Sequence, residues 1–120
     1  MKLKLKEWMK AVSSWIKKHE TASYASSTGT YTDFSFYRKG NVVMMSSWGS
    51  VPAAADGAVF ANIPAGYRPI NNCDFPVWNT AGTRLGTIRI QTNGTITPVF
   101  GSLTAGNVRQ TFTYVGGGTA

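Results

Sequence analysis

The stretch "LGTIRIQTNGTITPVF" (residues 85–100) limits the possible folds of this chain more than any other feature. Two short β-type runs flank Asn93-Gly94, a pair that favours a tight hairpin turn. A two-residue turn at Asn93-Gly94 would set Gln91 opposite Ile96 and so put a polar side chain against an apolar one. A three-residue loop, Thr92-Asn93-Gly94 with Gly94 in the left-handed conformation, instead sets Ile90 opposite Ile96 and Arg89 opposite Thr97. Apolar then faces apolar and polar faces polar. The spacing therefore predicts the glycine-bulge form, because a one-residue slip would turn every side chain to the wrong face of the sheet.

Similar punctuation recurs across the chain. "TDFSFYRKGNVVMMSSW" (32–48) gives two runs meeting at Lys39-Gly40-Asn41, with Phe34 and Phe36 alternating with polar neighbours and Val42 to Met45 forming an apolar run. "VFANIPAGYRPI" (59–70) ends a strand near Ile63 and turns through Pro64-Ala65-Gly66, with the proline expected at the second turn position. "CDFPVWN" (73–79) is a further short strand, and Pro76 inside it points to an edge position. "RQTFTYV" (109–115) places Phe112 and Tyr114 on one face. The expected fold is mainly β: a small antiparallel sandwich or barrel of six to eight short strands covering residues 31–115, with 116–120 ("GGGTA") as a flexible tail.

The first twenty residues have a different character. "MKLKLKEWMKAVSSWIKKHE" places Leu5, Trp8, Met9, Val12, Trp15, Ile16 and His19 on one arc of about 120° when wound at 100° per residue, with Lys6, Lys10 and Lys17 opposite. Met9 and Ile16 take a positions, and Leu5, Val12 and His19 take d positions, while the tryptophans fall at g. The segment is expected to be an amphipathic helix roughly 30 Å long. A helix of that length is marginal alone in water, so its stripe needs a cover. The stripe fits a stem between copies of the chain, and a basic amphipathic helix is also suited to a membrane surface. Residues 21–30, rich in Ser, Thr, Ala and Gly, read as a linker.

Charge and chemistry narrow the function. The net charge is +7 over 120 residues. The first twenty residues hold six lysines against two glutamates, and the remaining hundred hold six cations against three aspartates. The β region is thus only mildly basic, which argues against nucleic acid as its partner. The single cysteine, Cys73, excludes an internal disulfide and a multi-cysteine metal site. Lys10 and Ser13-Ser14 interrupt any leader-like apolar stretch, and no run of about 18 apolar residues offers a membrane span. No catalytic set, metal site or cofactor motif is expected. Asp33 and Asp74 are the one carboxylate pair that could serve a glycosidase, but aspartates beside turns ordinarily cap loops.

Binding groups are better represented. Trp48, Tyr67, Arg68, Asn71, Asp74, Trp78 and Arg84 fall in or beside expected loops. Aromatic faces together with planar polar groups suit sugars, since a ring covers the apolar face of a pyranose while amides and guanidinium groups hold its hydroxyls. Trp48 and Trp78 could equally be core residues of a small sandwich.

The order "FANIPAGYRP", "FPVWN", "GTIRIQTNGTI" and a closing "FTYV" resembles the C-terminal head domains of tail fibres and receptor-binding proteins from tailed phages of Gram-positive bacteria, over residues 31–115. The resemblance implies a head that trimerises, sits on a virion at the tail tip or fibre after synthesis in the host cytoplasm, and binds cell-wall saccharide. It favours the stem reading of the helix, because a trimeric head holds three helices at high effective concentration. Other tail proteins are further partners that the resemblance implies. Two alternatives stay open: a structural tail component without ligand binding, and a membrane-interacting protein acting through its helix.

Overall fold

In the computed structural model, residues 8–10, 23–26 and 34–118 are described. Eight strands fall in this part of the chain: β1 (Ser23–Ser26), β2 (Phe34–Lys39), β3 (Val42–Val51), β4 (Ala61–Asn62), β5 (Cys73–Trp78), β6 (Arg84–Ile90), β7 (Thr95–Val99) and β8 (Gly106–Val115). They form two four-stranded sheets with strand orders β1-β2-β3-β8 and β4-β7-β6-β5, and all pairs are antiparallel. The chain is mainly β. Residues 8–10 are helical, with Trp8 and Met9 exposed. Leu5, Val12, Trp15, Ile16 and His19 of the expected stem, and most of the expected linker, lie outside the described residues.

The hairpin at residues 85–100 takes the glycine-bulge form. Ile90 pairs with Ile96 and Arg89 with Thr97. The Gln91 N–H donates to the Thr95 carbonyl at 3.0 Å, and the Gly94 N–H to the Gln91 carbonyl at 2.9 Å. Gly94 has φ 89°, where a side chain would be strained, and a Cβ there would lie 2.9 Å from the Ile63 carbonyl oxygen and against the Arg68 guanidinium. The β2–β3 hairpin closes Lys39 on Val42 around Gly40-Asn41. Pro76 lies on an edge strand, as expected of a residue with no N–H to give a ladder. The turn at 64–67 differs in register from expectation. The Tyr67 N–H donates to the Pro64 carbonyl, so proline is the first turn residue and Gly66, at φ 92°, the third.

One face of each sheet feeds a single hydrophobic cluster. Phe34, Phe36, Val43, Met45, Phe112 and Tyr114 come from the first sheet, and Val77, Leu85, Ile88, Ile90 and Ile96 from the second. Phe75 meets Phe112 edge-on at 5.2 Å between ring centres. The run from Val42 to Met45 is not buried throughout. Val43 and Met45 point into the cluster, while Val42 and Met44 face outward, because only one face of the first sheet is covered by the second.

The end near the β2–β3 turn is closed by Arg38. This side chain is 1% exposed, and no carboxylate among the described residues pairs with it. Its guanidinium donates to four carbonyls: Gly40 at 2.8 Å, Gly66 at 2.6 Å, Gly117 at 2.9 Å and Gly118 at 3.3 Å. The charge is therefore solvated by backbone dipoles in place of water. The same four bonds draw in the β2–β3 turn, the 64–67 turn and the chain beyond β8. Residues 116–118, expected to begin a flexible tail, are tied at several points. The Gly116 N–H donates to the Asn41 carbonyl at 2.7 Å and the Gly117 N–H to the Arg68 carbonyl at 2.8 Å. Gly116 is required by space, since a Cβ there would lie 2.8 Å from Arg38 Cζ. Tyr114 completes the closure by donating its hydroxyl to the Tyr67 carbonyl at 2.6 Å, and burial pushes that phenol well above its ordinary pKa.

Candidate functional site

The seven residues singled out in sequence divide among three places. Tyr67, Arg68 and Asn71 lie at the closed end. Tyr67 is a core residue: its ring is 9% exposed and tilted against Phe36 at 6.0 Å, so it presents no open platform to a sugar. Arg68 spends its Nε–H on the Ile63 carbonyl at 3.2 Å and covers Gly94. Asn71 is exposed and accepts from the Cys73 thiol at 3.2 Å. Burial, and then the neighbouring Asp74 carboxylate, raise the pKa of that thiol.

Asp74, Trp78 and Arg84 share the outward face of the second sheet. Asp74 forms a two-pronged pair with Arg89, at 2.7 and 3.0 Å. That hydrogen-bonded pairing holds the carboxyl below its ordinary pKa. The proton traffic expected of a glycosidase acid, which needs a raised carboxyl, is thereby disfavoured. Asp33, its expected companion, lies outside the described residues. Trp78 is 45% exposed and stands opposite Arg84 just past a bulge at Val77/Trp78. Arg84 donates to the Thr87 hydroxyl. Phe100, 81% exposed, sits beside this face under the Arg89 guanidinium and holds φ 60°, a conformation rare for an aromatic residue.

Trp48 occupies the third place. It lies on the outward face of β3 and is 64% exposed. The Arg109 guanidinium lies over its ring at 4.0 Å, a cation–π contact between directly paired residues of β3 and β8. Beside this pair is an open groove of about 680 Å³ lined by Gly49, Asn79, Thr80, Gly82 and Asn107. The groove forms because the 79–83 turn reaches over the end of β8, where the Thr80 N–H donates to the Asn107 carbonyl at 2.9 Å. Asn79 stiffens the turn by accepting from the Ala81 and Thr83 N–H groups at 3.0 and 2.8 Å. The lining carries no carboxylate among the described residues.

Both β-region tryptophans are therefore outward-facing, and of the seven expected residues only Trp48 lines this groove. Arg109, Asn107, Asn79 and Thr80 were not singled out in sequence. The available signal was strand alternation: Arg109 precedes the buried pair Phe112 and Tyr114 by odd steps, which places it on the outer face. Among the described residues, no group of three His, Cys, Asp or Glu side chains could hold a metal, and no helix is long and apolar enough to cross a membrane. No protein-family model matches the chain, and no curated protein matches it in sequence.

Proposed function

We propose that the chain is a tail-associated receptor-binding head of a phage or prophage, a small β-sandwich carried as a homotrimer on its N-terminal helix, which recognises bacterial surface saccharide. The observation that carries this reading is the Trp48 groove. A tryptophan left 64% exposed forgoes the hydrophobic gain of burial, and here its ring is held in place by Arg109 beside amide and hydroxyl groups. A rigid aromatic face rimmed by Asn79, Thr80 and Asn107 offers a pyranose both a stacking surface and partners for its hydroxyls. The groove is open and shallow enough to bind one copy weakly, and three copies on a stem compensate through avidity.

Calorimetric titration of the intact chain with cell-wall saccharide fractions tests the binding half. Binding that is lost on Trp48→Ala with the thermal transition unchanged supports it. A protein that binds no fraction but captures another tail protein would replace it with a structural role. Light scattering tests the assembly half, with three times the 13.0 kDa chain mass expected and a monomer at micromolar concentration counting against it.

A further inference from the structure

The outward face of the first sheet grades from apolar to polar along its strands. At the closed end four side chains form one row across neighbouring strands. Lys39 of β2 is paired with Val42 of β3, and Val42 with Val115 of β8. The Ile70 N–H donates to the Val115 carbonyl at 3.0 Å, next to the Pro69–Gly116 bridge, which sets Ile70 opposite Val115 on the same face. Val42, Val115 and Ile70 are 49%, 56% and 57% exposed. The next row is Tyr37, Met44 and Thr113, with Met44 38% exposed. Beyond it come the hydroxyls of Ser35, Ser46 and Thr111, and then Trp48 with Arg109. These rows hold no carboxylate among the described residues. The apolar part is contiguous, three strand spacings or roughly 15 Å wide. Its rim is Lys39 and the hydroxyl row, the pattern of a surface that is covered in use.

The course of the chain points to the cover. Ser23, the first residue of β1, is paired with Arg38, so residues 1–22 join the sheet at the end that carries Lys39 and Val42. Trp8 and Met9, the described residues of the N-terminal stripe, are exposed in the single chain as well. Copies gathered through that stripe would meet at the root of β1, where Val42, Val115 and Ile70 stand. We propose that Val42, Met44, Ile70 and Val115 are the surface by which the β domain of one copy meets those of the others. This rests on the homotrimer reading above and adds to it the contact made by the head. A patch of this size falls well short of the about 800 Å² per partner that a stable interface buries. It therefore acts together with the N-terminal segment, which supplies the high local concentration that a small contact needs. Trp48 lies four residues beyond Met44 on β3, roughly 13 Å along the strand, so the contact leaves the groove open.

The test compares the full chain with Val42→Glu, Val115→Glu and Ser50→Glu, each checked by circular dichroism for the parent's β signal. Val42 and Val115 lie on different strands, so misfolding of one variant leaves the other to decide. Ser50 is exposed on the same face at the far end of β3 and serves as the control. Light scattering over a dilution series reads the concentration at which the trimer is half dissociated. A carboxylate buried without a partner should raise that concentration at least tenfold in both valine variants, and Ser50→Glu should leave it within about twofold. Valine variants that dissociate no more readily than Ser50→Glu would overturn the contact and keep the trimer, held then by its N-terminal segment alone. Misfolding of both would assign the valines to the fold itself and overturn the contact too. A monomeric parent would overturn the contact together with the homotrimer reading. Were that monomer to bind phosphatidylglycerol vesicles, and lose them on Val115→Glu, the patch would be a lipid-facing surface instead.

Discussion

Arg38 and Arg109 belong to the same sheet and are used in opposite ways. Arg38 points inward at the end where the β2–β3 turn, the 64–67 turn and the segment after β8 converge, and four carbonyls enclose it. Arg109 points outward about 17 Å further along the strands and lies against an exposed ring. The difference follows from what surrounds each cation. Where turns converge, their carbonyl groups would be stranded without a donor, and a planar guanidinium can satisfy several at once. Where a sheet face meets water, the same group keeps its remaining donors for a partner. One end of the molecule is therefore held by its polar groups, and the other presents them.

Substitution at Arg38 should break the comparison most sharply. Arg38→Met removes the shared donor of four carbonyls at partly covered turns and should cost about 2–3 kcal/mol by urea denaturation, with Arg38→Lys intermediate because a point-like ammonium cannot reach all four. A cost under about 1 kcal/mol would mean that the closed end is held by packing alone. Gly94→Ala comes next, at about 1–2 kcal/mol, from its left-handed backbone and its contact with Arg68. Trp48→Ala should change stability by less than about 0.5 kcal/mol, since its ring contributes little to the core. A larger loss there would make the open end structural too. The smallest effect concerns Asp74. Its folded pKa is depressed, so its contribution is complete above about pH 5 and fades as pH falls through the folded value, below 3.8. Asp74→Asn should therefore lower stability slightly at neutral pH, flatten the acid-side decline, and converge with the parent protein in acid, as followed by urea denaturation across pH.

The sequence exposed the parts of this fold that depend on local pattern. The glycine bulge at Gly94 was legible because only one register matches isoleucine to isoleucine, and the edge position of β5 because Pro76 lacks an N–H. Arg38 was not legible. It lies between Tyr37 and Lys39 in a run that reads as solvent-facing, and two of its partners are glycine carbonyls 79 and 80 positions away, which leave no side-chain signature. The outward run of Val42 and Met44 was hidden for a related reason: a four-residue apolar run does not reveal which of its faces a second sheet will cover. Of the candidate site, the aromatic residue types were readable. Their division between two sheets, and the cover that Arg109 gives Trp48, depended on pairings between distant segments of the chain.

The Arg38 closure also sets an order of events for a chain made from its N-terminus. β2 and β3 can pair as soon as both are out of the ribosome, yet Arg38 then has only the Gly40 carbonyl, with that of Gly66 following once the 64–67 turn emerges. Its last two acceptors arrive when residues 117 and 118 emerge, after all eight strands. Until then a guanidinium must either stay in water, holding β2 away from the core, or be buried half-satisfied. Completion of this unit is thus a late, long-range step, of the kind that slows folding and keeps nascent chains dependent on protection from one another.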